Sequence, residues 1–111
     1  MKLLTTALFA TVSLALATAA GAATDKENWD LHCAKCHAAD GSGATKIGQR
    51  LKLKDYTKAD NQALFTDEQS LDAIKNGVKD AAGKFTMNPY SEKLSAEEMQ
   101  ALVPFVRSLK K

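Results

Sequence analysis

The sequence predicts an all-α domain of three main helices, and three observations predict it. Capping-box pairs open helices at Thr24 with Glu27, Thr66 with Gln69 and Ser95 with Glu98. Behind the last two, apolar residues recur at helical spacing. Alternating strand patterns are nearly absent.

The first helix should begin at Thr24 and run through Trp29 and Leu31 to about His37. Ala38-Ala39-Asp40-Gly41-Ser42-Gly43 then reads as a turn-rich loop. Ala44 to Leu64 is polar, with sparse apolar residues, and supports no more than a helical turn or two. The second helix starts at Thr66. Asp67 and Glu68 suit the positive end of its dipole, and Leu71, Ile74 and Val78 mark one face. Asn76-Gly77 is its stop signal. Ala81 through Ser91 reads as a loop. The third helix starts at Ser95, with Met99, Leu102, Val103, Val106 and Leu109 as its stripe. Pro104 lies inside it but opposite the stripe, so the carbonyl it leaves unpaired faces water.

The chain has 111 residues, which suits one domain. A formal charge of +2 excludes nucleic-acid binding by bulk charge. With 45% hydrophobic and 25% charged residues, the composition is that of a folded chain. Two cysteines exclude a disulfide-dense scaffold. Met1-Lys2 precedes an uncharged stretch, Leu3 to Gly21, ending in small residues; this reads as a secretory signal peptide over 1–22, cleaved after Ala22 or Ala23. A permanent membrane anchor is the competing reading, but the run is weakly hydrophobic. The mature domain is then 23–111, exported to the periplasm.

Cys33-Ala34-Lys35-Cys36-His37 carries the chemistry. The pattern C-x-x-C-H is the covalent attachment site of a c-type haem. Two thiols at i and i+3 share one helix face and can meet the two vinyl groups of a haem edge. His37 follows at once and can ligate the iron from the proximal side. A thioredoxin-like pair needs a strand–helix context that is missing, and a zinc site needs a further ligand cluster that is missing too. A Cys33–Cys36 disulfide would close a tiny loop and stabilise little.

The sixth iron ligand has few candidates. His32 is the other histidine, and its place on the attachment helix keeps it from the opposite haem face. A Met thioether is the usual alternative. Met99 sits on the apolar stripe of the third helix, where packing is its expected role. Met87 sits in a loop, followed by Asn88-Pro89-Tyr90, and is the expected ligand.

At these residues the chain resembles a class I cytochrome c, small and with one haem. The resemblance rests on Trp29 four residues before Cys33, the C-x-x-C-H motif, Asp40-Gly41-Ser42-Gly43, Met87 with Tyr90, and Glu92–Glu98 leading into Leu102–Leu109. It implies a cytochrome c-like fold around one haem c, held covalently through Cys33 and Cys36 and ligated by His37 and Met87. It also implies that Trp29 meets Phe105 where the first and last helices cross. The chain departs from the pattern at Ala38, where many relatives have Gly, and at Asn88, where many have Pro. The Pro whose carbonyl often accepts the proximal His proton is missing, so backbone near Ile47 to Leu51 is the candidate partner. Arg50 and Tyr56 are candidate contacts of a propionate.

A haem held from both sides leaves no open position for a substrate. The expected function is therefore one-electron transfer between a donor and an acceptor redox protein, by a monomer that is not an enzyme. The alternative is a haem protein with a displaceable distal ligand, sensing gas or peroxide, or a subunit of a larger redox enzyme. The lysines are interspersed with acids, so strong electrostatic steering is not implied.

Overall fold

The computed structural model describes residues 12–13 and 23–111. Apart from residues 12 and 13, the expected signal segment 1–22 lies outside the described residues. From Thr24 the chain enters a helical run made of α1 (Asp25–Asn28), a wide π-type turn (Trp29–Cys33) and α2 (Ala34–His37). The Thr24 hydroxyl accepts the Glu27 amide at 3.1 Å, which fixes the start of the run.

Two short helices follow, α3 (Lys46–Leu51) and α4 (Ala59–Gln62), as the polar composition of that stretch allows. Helix α5 (Asp67–Asn76) and helix α6 (Ala96–Ser108) both open with complete capping boxes, from Thr66 with Gln69 and from Ser95 with Glu98. Pro104 lies inside α6 and is exposed, as its place opposite the stripe requires.

The all-α expectation is corrected in one place. Strands β1 (Val78–Lys79) and β2 (Phe85–Met87) pair antiparallel, with Val78 opposite Met87. Val78 is thus an exposed strand residue rather than part of the α5 face. The reason is local. Gly77, at φ 75°, ends α5 and redirects the chain. The Asp80 carboxylate then accepts the amides of Ala82 and Lys84, each at 2.9 Å, and closes the turn between the strands.

Helix α6 packs against both α1 and α5. The core is Trp29, Ile74, Leu94, Met99, Leu102, Val103 and Val106. Polar clamps tie the same elements together. Asn28, 2% exposed, donates to the Glu98 carboxylate at 2.8 Å. Gln62, 7% exposed, donates to the carbonyls of Tyr56 and Val106, both at 2.8 Å. Arg107 donates to Asp67 at 2.9 Å and to the Phe65 carbonyl at 2.8 Å, with its guanidinium 4.4 Å from the Phe65 ring centre. Among the described residues, no helix is long and apolar enough to cross a membrane.

Candidate haem-binding site

The helical run places Trp29, Cys33 and His37 on one face, four residues apart. Trp29 is 3% exposed and anchors that face. Its ring lies 5.4 Å from Phe105 and 5.7 Å from His37, so the helix crossing implied by the resemblance sits directly beside the proposed proximal ligand. The indole N–H is shared between the carbonyls of Ala38 and Ala39, at 3.2 Å each. That bond holds the chain as it leaves the motif. Ala38 turns there with φ 69° and ψ 158°, a region normally reserved for glycine.

Cys33, His37 and Met87 together line two adjoining clefts. The first is walled by Trp29, Ile74, Leu102 and Val106. The second is walled by Cys36, Leu51, Leu53 and Tyr90. A third again has both His37 and Met87 in its wall, with Tyr56 and Phe65. The mostly apolar walls of these clefts suit the face of a large apolar cofactor. Met99 is 6% exposed and belongs to the helical core. Met87 ends β2, half-buried, rather than standing in an open loop, and the hairpin aims it at the cavity.

The titratable groups fit a haem better than a redox pair. Both cysteines are free thiols. Burial pushes the Cys33 thiol up to about 11, and neighbouring Cys36 adds to the rise. A thioredoxin-like cysteine needs the opposite, a depressed value that exposes a thiolate. Burial lowers the His37 value, which favours the neutral imidazole, the form that ligates metal.

His37 Nδ1 is buried and has no hydrogen-bond partner, so the expected acceptor near Ile47 to Leu51 is not found. The reason is where α3 docks. Thr45 caps α3 and donates its hydroxyl to the Cys36 carbonyl at 2.6 Å. A Cβ on Gly48 would come within 2.7 Å of that same carbonyl. Helix α3 therefore closes on Cys36 and leaves the next residue's ring unpaired. A neutral imidazole beside an apolar cleft and two free thiols is the donor set that a covalent haem requires.

The remaining candidates divide. His32 stays on the attachment run, its ring 5.5 Å from Tyr90. Tyr56 stacks on the His37 ring at 5.4 Å, so it packs on that ring. Burial first, then Cys33, raises its phenol. Arg50 is exposed and lines a separate cavity with Cys36, Asp80, Lys84 and Phe85. Gly48 and Thr45 carried no readable signal in the sequence; the close approach that requires them exists only once α3 has docked.

A model of the family described as cytochrome c matches residues 20–110. The chain belongs to the cytochrome c family, as a small class I member with one haem-attachment motif. That makes it a haem-based electron carrier by family, and the family implies covalent haem c. Among solved structures, "KustC0563 c-type cytochrome" is similar at 35% identity and a TM-score of 0.68, over 80% of this chain and all of that one. A Kustc0563 mutant is similar at 34% identity and a TM-score of 0.65, over 79% of this chain and all of that one. No curated protein matches.

Proposed function

We propose that the protein is a periplasmic one-electron carrier whose single haem c is held by Cys33 and Cys36 and ligated by His37 and Met87. One observation carries the reading: His37 and Met87 are set on different elements yet share the walls of the same clefts, which Cys33 also lines. The iron supplies the Fe(III)/Fe(II) couple when the haem is bound. The chain's own residues do the rest. The three longest helical elements wrap the site, and Trp29, Ile74, Leu102 and Val106 keep water from it. A dry, rigid pocket lowers the reorganisation that accompanies each electron. Donor and acceptor redox proteins dock where Cys36, Thr86 and Phe85 approach the surface. Arg50, Lys84 and Asp80 around that rim are mixed in sign, so docking depends little on bulk charge.

The ferric holoprotein should be low-spin, with the weak red charge-transfer band of a thioether ligand. The ferrous form should leave carbon monoxide unbound. A high-spin, carbon-monoxide-reactive protein would instead favour a displaceable distal ligand.

A further inference from the structure

The Met87 segment meets α5 at two places. The Tyr90 amide donates to the Ile74 carbonyl at 2.9 Å. A Cβ on Gly77 would lie 2.6 Å from the Met87 carbonyl and 2.9 Å from Pro89 N, so the backbone is pressed onto that glycine. Its tie to the attachment run is different in kind. The Tyr90 hydroxyl donates to the main-chain carbonyl of His32 at 3.0 Å, one residue before Cys33. Among the described residues, no other hydrogen bond joins residues 85–90 to residues 25–37. The Tyr90 ring also meets the His32 ring edge-on at 5.5 Å and lines the cavity with Cys33, Cys36, His37 and Met87.

We propose that Tyr90 is a positioning residue: its phenol straps the Met87 segment to the haem-attachment run and sets how readily an outside ligand displaces Met87. The inference rests on the His37/Met87 ligation proposed above. Displacement needs the 85–90 segment to swing away from the haem face. The strap opposes that swing, because an opened segment breaks the phenol–carbonyl bond before any solvent bond replaces it. Tyr90 acts through the position of Met87.

The test uses ferric holoprotein and imidazole, with binding followed by loss of the thioether band. Tyr90→Phe keeps the ring and removes the strap, and should bind imidazole about 2- to 10-fold more tightly than wild type, the range of one net hydrogen bond. Val103→Ala serves as the control: Val103 is buried in the core but lines none of the clefts that His37 shares with Met87, so the change should lower thermal stability with the imidazole Kd unchanged. A Tyr90→Phe protein with wild-type imidazole affinity overturns the strap. So does equal tightening in Val103→Ala, which would mean that general loosening controls access. A Tyr90→Phe chain that fails to accumulate as holoprotein also contradicts it, since a local strap leaves the helical core standing. A wild-type protein without the thioether band removes the ligation itself, and the strap with it.

Discussion

The haem cavity lies between two unlike walls. One is helical: the attachment run, α5 and α6, with the buried residues Trp29, Ile74, Met99, Leu102, Val103 and Val106. Its helices start at side-chain caps, its buried Asn28 is paired, and Gln62 of α4 donates to its Val106 carbonyl. The other is made of loops, short helices and the hairpin, from Ala38 to Lys58 and from Gly77 to Tyr90. Among the described residues, every residue with positive φ lies in it: Ala38, Gly41, Gly43, Lys52, Gly77 and Gly83. The first wall brings a packed core to the cavity and closes on the enclosed group with it. The second takes its shape from what it encloses, and so tolerates backbone that is costly in isolation.

Removing the enclosed group should break the comparison most severely. With Cys33 and Cys36 both changed to Ser, the haem should be lost from the polypeptide on denaturing electrophoresis. Most of the helical circular dichroism should go with it. Without the enclosed group the apolar residues that face it lose their partner, and only roughly 5–15 kcal/mol holds a small domain together. Native-like dichroism in that variant would mean that the helical wall stands alone.

Damage within the helical wall should be smaller and of another kind. Leu102 is 1% exposed, and Leu102→Ala should cost about 3 kcal/mol in denaturant unfolding. The thioether band should persist, because Met87 is carried by the opposite wall. Loss of the band would show that the two walls are not separable.

The smallest expected effect is a gain. Ala38 is held at φ 69° and ψ 158° by the Trp29 indole and by its own amide, which donates to Ala34. Ala38→Gly should relieve strain of roughly 1–3 kcal/mol against a glycine entropy cost of up to about 1, a net gain of about 1 kcal/mol in unfolding free energy. A loss on that substitution would contradict the account of the second wall.

The same division explains what the sequence disclosed. The starts of α5 and α6, the exposed Pro104 and the core stripe of α6 follow from capping and periodicity, which are local. The C-x-x-C-H motif is also local, and with it the proposed attachment residues. The hairpin was hidden because only two or three residues on each side pair, too few to show alternation. The α3 docking through Thr45 and Gly48, and with it the unpaired His37 nitrogen, depends on a tertiary approach that no window of sequence contains. Arg107 joins α6 to Gln62, Phe65 and Asp67, groups that converge only in the folded chain.

Met87 and Met99 put the central claim to its most direct test, since one stands in each wall. The measurement is the red charge-transfer band of the ferric protein in Met87→Ala and in Met99→Leu. Met87→Ala should lose the band and lower the reduction potential, because a thioether favours Fe(II) relative to harder ligands. Met99→Leu should keep the band and cost under about 1.5 kcal/mol as a near-volume-conserving core change. If Met99→Leu loses the band while Met87→Ala keeps it, or if neither changes it, the assignment of Met87 to the iron is wrong.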